Sequence, residues 1–216
     1  MAEKREQRTE DRLERRVYQA STLELRKAGD GEKAVLAGYA AVFNATSEDL
    51  GGFREVIMPG AFTKSLQNRD VRALWQHDSK LVMGRASTGT LRLVEDDTGL
   101  HVEIDPPDTQ WARDAMTTVE RGDVNQMSFA FEVPPGGETW GDLPDGTWLR
   151  KLWEVDLWEV SGVTFPAYPQ TSIAVRDHLE ALRAEASSGN NGEGGHAGAG
   201  RDLADERERE LALIQH

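Results

Sequence analysis

A hydroxyl, an imidazole and a carboxylate together make a nucleophilic hydrolase, provided the base reaches the hydroxyl and the acid holds the base in one tautomer. Five histidines could supply the base. His178, His196 and His216 lie in or beyond a terminal helical stretch and a glycine-rich run, where neither rigid position nor exclusion of water is expected. His101 alternates with Leu100, Val102 and Ile104, so it belongs on the outer face of a strand with Glu103 and Asp105. His77 ends the apolar run from Arg72 to Gln76 and precedes the break Asp78-Ser79-Lys80, which puts an imidazole at a strand-to-loop rim. Catalytic groups gather at such rims, although a capping or half-buried histidine fits the same pattern.

For the hydroxyl, the run from Gln126 to Phe131 is informative. Alternation sends Met127, Phe129 and Phe131 to one face and Gln126, Ser128 and Ala130 to the other, a small and open face on which a peptide could lie. Taken alone, Ser128 is equally an ordinary small polar strand residue. Among the carboxylates Glu159 stands out. Strict alternation puts it with Trp153, Val155, Leu157 and Ser161, the more apolar face of its strand. A carboxylate there needs a compensating partner, either an imidazolium or a structural Arg or Lys.

Other chemistries lack their patterns. The chain has no cysteine, which removes disulfides, thiolate metal sites and cysteine nucleophiles. His77 and Asp78 with Asp96, Asp97 or His101 do not make a recognised metal spacing, and no HExxH or EF-hand spacing occurs. GxSxG, Walker and GxGxxG sequences are also absent, so no metal or cofactor is expected. A formal charge of −13 argues against a general nucleic-acid binder and favours a basic target peptide. No apolar run approaches the ~20 residues of a membrane span, so a soluble, cytosolically made protein is expected.

The elements that must position these groups lie between residues 17 and 176. All six tryptophans fall between residues 75 and 158, marking the core. Strands are predicted over 18–26, 34–43, 71–76, 91–94, 100–104, 126–133 and 151–164, with a hairpin turn at Asp96–Gly99 and an exposed excursion from Pro134 to Gly146. Short helices are predicted over 59–66 and from Asp108 or Thr109 to Gly122. Residues 1–16 carry eleven charged side chains and read as a flexible arm. Beyond the core, 177–186 reads as a terminal helix, 187–200 as a glycine-rich linker and 201–216 as a helical tail suited to docking or removal.

Seven sequence blocks, in order, closely resemble the caudovirus prohead protease family over about residues 15–176. They are GYAAVFN at 38–44, VIMPGAF at 56–62, LWQHD at 74–78, GR at 84–85, DDTGLHVE at 96–103, QMSFAF at 126–131 and LWEVDLWEVSGVTFPAYP at 152–169. The resemblance implies a mainly β fold with peripheral helices (α+β), arranged as an antiparallel β-barrel like that of herpesvirus assemblin. It implies that Ser128 is the nucleophile and His77 the catalytic histidine, with Glu159 as the third member and His101 as the alternative orienting group. Arg85 could assist the oxyanion. The implied activity is cleavage of major capsid protein or scaffold segments in the assembling prohead, in the host cytoplasm, often with self-cleavage, and the likeness to assemblin implies a homodimer. Two other readings stand beside it: a non-enzymatic scaffold or capsid-binding module, which needs no triad geometry, and a generic esterase, which would cleave small esters without a preferred peptide sequence.

Overall fold

The computed structural model describes residues 13–18, 21–26, 34–165, 180–182 and 184. The chain divides into two units, Met1–Ala174 and Val175–His216. In the second, the described residues are helical. The rest of the expected terminal helix, the linker, the tail and residues 1–12 lie outside the described residues.

The strands of the first unit are β1 (Glu14–Arg16), β2 (Glu24–Arg26), β3 (Val35–Val42), β4 (Phe53–Ile57), β5 (Arg72–Trp75), β6 (Asp78–Arg85), β7 (Leu91–Glu95), β8 (Gly99–Ile104), β9 (Gln126–Glu132), β10 (Glu138–Asp142), β11 (Trp148–Leu152) and β12 (Asp156–Val163). Among the described residues of this unit two α-helices accompany them, α1 (Thr63–Asn68) and α2 (Gln110–Glu120). The fold is mainly β with few helices, as expected. The strands form a five-stranded sheet β1-β9-β12-β5-β6, a three-stranded sheet β10-β11-β4 and a four-stranded sheet β2-β3-β8-β7.

No closed barrel is found among the described residues, and β4–β11 and β5–β12 pair in parallel. The reason lies at Trp153–Val155. The run 151–164, predicted as one strand, breaks there because the backbone amides of Trp153 and Val155 bond to loop carbonyls of Gly137 and Ala61. The halves on either side of the break therefore join different sheets.

Local chemistry accounts for the better-predicted elements. The β7–β8 hairpin turns where the Asp96 carboxylate accepts the amides of Thr98 and Gly99. The helix α2 buries Ala112, Ala115 and Val119 on one stripe, and Gly122 follows it with φ 79°, the left-handed conformation that glycine adopts without strain. Met127, Phe129 and Phe131 point into the core, where the Phe129 ring meets those of Phe131, Phe62 and Tyr18 at 5.2, 5.6 and 6.2 Å.

The charged arm ends earlier than its composition suggests. Glu14–Arg16 form β1, paired with β9, the strand that carries Ser128, in the register Arg16 to Phe129. Arg16 donates to Glu55 at 2.9 Å and to Glu14 at 2.5 Å, while Arg150 donates to Glu14 at 2.8 Å and to Glu55 at 2.9 Å. Tyr18 adds a hydroxyl to Glu55 at 3.2 Å. Burial opposes ionisation of Glu55, but Arg16 and Arg150 outweigh it and hold the carboxyl below its ordinary range. Glu14 and Arg16, which read as part of a solvated arm, are thus buried, because β4 and β11 supply their counter-charges.

Candidate active site

The chain does not loosen after Gln76. Trp75 pairs directly with Asp78, so Gln76 and His77 are the two loop residues of the β5–β6 hairpin. Both have positive φ, 57° and 60°, the pattern of a type I′ turn that normally takes Asn and Gly. Side chains with a Cβ are strained there by about 1–2 kcal/mol each. His77 therefore sits at a hairpin tip rather than at a strand-to-loop rim.

Hydrogen bonds to β12 and its C-terminal end hold this turn. The Gln76 amide N–H donates to the Gly162 carbonyl at 3.0 Å. Its side chain donates to Thr164 Oγ1 at 2.7 Å and accepts from the Thr164 amide at 3.2 Å. The His77 amide donates to Ser161 Oγ at 3.3 Å. Gly162 completes the fit, since an added Cβ would come within 2.7 Å of the Trp75 ring.

Glu159 is not on the face that strict alternation gives it. The β12 ladder slips at Trp158, so that Leu157 faces Phe131 and Glu159 faces Ala130, with Trp158 as the extra residue of a bulge. Leu157 and Val160 then lie with Phe131 and Phe129 on the core face. Glu159 and Ser161 turn to the face of Ala130 and Ser128, where Ser161 is the direct cross-strand partner of Ser128. Trp158, displaced from both sets, lies under the Arg69 guanidinium at 4.5 Å.

Glu159 reaches the histidine. One carboxylate oxygen lies 2.5 Å from His77 Nδ1 and the other accepts the Ser161 hydroxyl at 2.6 Å. The partners of this buried carboxylate are thus an imidazole and a hydroxyl, not the Arg or Lys of a structural salt bridge. A carboxylate on Nδ1 fixes the neutral ring with its proton on that nitrogen and leaves Nε2 as the basic atom. His77 Nε2 and Ser128 Oγ are both buried without a hydrogen-bond partner. Buried polar atoms are rarely left so, and exceptions ask for a role.

Ser128 has no solvent exposure, nor have Ala130 and Ser161. The serine face is closed in this conformation, not open as its small side chains suggest. His101 lies in the four-stranded sheet opposite Tyr39, whose ring meets its own edge-on at 5.2 Å. Arg85 is engaged by Asp70, whose carboxyl it holds well below the usual range. The sequence reading missed Gln76 and Ser161. Spacing signalled Ser161, two residues from Glu159 on the same strand face, while nothing in the local sequence announces Gln76 as a clasp.

Residues 21–184 match the family model described as caudovirus prohead serine protease. The chain belongs to that family. It is 33% identical over 167 residues to the prohead protease of Enterobacteria phage HK97, an alignment covering 74% of this chain and 69% of that protein. No solved structure matches. As a prohead serine protease the chain is a peptidase of phage capsid maturation. The matched span holds every residue of the arrangement around His77 and the whole of the five-stranded sheet except β1.

Proposed function

We propose that this prohead protease is a serine endopeptidase acting through Ser128, His77 and Glu159 on segments of the major capsid protein or scaffold. One observation carries the reading. His77 is held through Nδ1 by Glu159, while its Nε2 and the Ser128 hydroxyl, whose strand lies beside that of Glu159 and Ser161, are both buried without partners.

In the reaction His77 Nε2 takes the Ser128 proton as Oγ bonds to the scissile carbonyl carbon. Collapse of the tetrahedral species breaks the C–N bond, and the proton passes from Nε2 to the departing amine. Water, deprotonated by the same nitrogen, then releases the acyl group from Ser128. Glu159 stays ionised throughout and stabilises the imidazolium. Nε2 and Oγ share no hydrogen bond in the closed conformation, so productive binding must open the serine face and bring the two atoms together.

The work is done inside the assembling prohead in the host cytoplasm. Residues beyond about 177 recruit the enzyme to the shell interior, and the enzyme cuts itself within the N-terminal arm or the glycine-rich run. The resemblance to assemblin-type enzymes points to a homodimer. Intact-mass analysis of the enzyme and of Ser128→Ala, each co-expressed with its capsid and scaffold proteins, tests this. Truncated products are expected only with the parent enzyme. Identical products from both would overturn the assignment of Ser128, and an uncut set that still co-purifies as a complex would favour a non-enzymatic binding module. Cleavage of small esters with no cutting of capsid or scaffold would favour a generic esterase.

A further inference from the structure

From the closed ring of hydrogen bonds around Glu159, we infer that Ser161 is a positioning residue of this catalytic apparatus, an inference that rests on the triad reading above. The ring runs from His77 Nδ1–H to one Glu159 oxygen, through the carboxylate to its second oxygen, to the Ser161 hydroxyl proton, and from Ser161 Oγ back to the His77 amide N–H. One small side chain thus touches the histidine at its backbone and the carboxylate at the oxygen that the imidazole does not use.

Each contact meets a physical need. A carboxylate bonded through one oxygen can still rotate about its Cγ–Cδ bond, and rotation would carry the imidazole with it; the Ser161 proton on the second oxygen fixes the plane. The His77 amide lies in a two-residue turn, where no ladder partner exists for it, and Ser161 Oγ accepts its proton. That bond anchors the residue whose left-handed backbone aims the ring.

Its geometry also sets Ser161 apart from Ser128. The two serines face each other across β9 and β12, both without exposure, and either could pass for a nucleophile from its place in the sheet. Ser161 gives its proton to Glu159, whereas Ser128 Oγ has no partner. The first hydroxyl is committed to holding the base, and the second is free to surrender its proton to it.

The test compares Ser161→Ala, Ser161→Thr and Ser128→Ala in the full chain. Readouts are cleavage of a peptide from the capsid or scaffold and the low-field proton resonance of His77 Nδ1–H. In Ser161→Ala, kcat is expected to fall on the order of ten- to a hundredfold with KM within twofold, the cost of a slightly misplaced base. The Nδ1–H resonance should shift or broaden in the same folded variant, which a loss of stability alone would not cause. Ser161→Thr keeps the hydroxyl and should recover most of the rate and the resonance.

Parent-like kcat and resonance in folded Ser161→Ala, with Ser128→Ala inactive, would overturn this inference and leave the triad standing. A fluorophosphonate adduct mapping to Ser161 would overturn it too, by making that hydroxyl the nucleophile. Full activity of Ser128→Ala would instead remove the triad reading itself.

Discussion

Glu159 shares a sheet face with Ser128 while Leu157, two residues before it, faces the core, because Trp158 is the extra residue of a bulge in β12. Without that slip, Leu157 and Glu159 would lie on the same side, and either the carboxylate would enter the phenylalanine core or the leucine would leave it. The bulge resolves a conflict that strict alternation could not.

Deletion of Trp158 should therefore be tolerated. With the extra residue gone, Leu157 still faces Phe131 and the next residue, Glu159, still faces Ala130, so the ladder becomes regular without turning the carboxylate away. The loss is confined to the stacking of Trp158 against Arg69. Peptidase activity within about tenfold of the parent is expected. Deleting Val160 should abolish activity, since adjacent strand residues point to opposite faces and Glu159 would then separate from Ser161. Equal activity of the two deletion variants would refute the register argument.

Substitutions in the proposed triad of Ser128, His77 and Glu159 should fall in a definite order. Ser128→Ala and His77→Ala are expected to lose about 10⁵–10⁶ in kcat, because in the proposed mechanism nucleophile and base act as one unit. Glu159→Gln should lose about 10⁴, since an amide can hold the ring by offering it a hydrogen, and thereby favours the wrong tautomer. Single-turnover cleavage of a capsid peptide measures all three. A Glu159→Gln enzyme at parent rate would show that the 2.5 Å contact with Nδ1 does nothing for catalysis.

Gln76 should matter more for its side chain than for its neighbourhood suggests. Gln76→Ala removes both bonds to Thr164 and keeps the left-handed strain, for an expected loss of about 1 kcal/mol in urea unfolding. Gln76→Gly removes the same bonds but also relieves strain of about 1–2 kcal/mol, so its stability should match or exceed that of the alanine variant. Alanine proving the more stable of the two would mean that positive φ at this position costs nothing.

How much of this could be read from sequence depended on whether the signal was local. The turn at Asp96–Gly99, the helix ending at Gly122 and the alternation in β9 depend on near neighbours, and all three appear in the structure much as predicted. The Gln76-His77 turn has neither Asn nor Gly to announce it; bonds from β12, more than eighty residues away, hold it in place. The bulge at Trp158 shows only once β9 fixes the register. Barrel closure was expected by likeness alone, and the break at Trp153–Val155 depends on loops that bind its amides. The closed serine face was equally hidden, because small side chains on a strand do not say what covers them.

The buried cluster of Glu14, Arg16, Glu55 and Arg150 makes stability depend on pH in a fixed direction. The Glu55 carboxyl is held below its ordinary value despite burial, so ionised Glu55 stabilises the fold above the unfolded value of about 4.3, and this contribution is lost as pH falls through the folded value. Tyr18 has the opposite shift. Burial, and then the Glu55 charge, push its hydroxyl up, so the unfolded chain loses that proton first and stability declines as pH rises beyond about 10. Urea midpoints should form a plateau between about pH 5 and 9 and fall on both sides. Glu55→Gln removes the charge shared by Arg16 and Arg150, and should cost about 3–5 kcal/mol at neutral pH while flattening the acid limb. Because β1 is tied to β4 and β11 through these charges and pairs with the strand carrying Ser128, the same variant should lose peptidase activity at lower urea than the parent. An acid limb as steep in Glu55→Gln as in the parent would assign the pH dependence to other carboxylates.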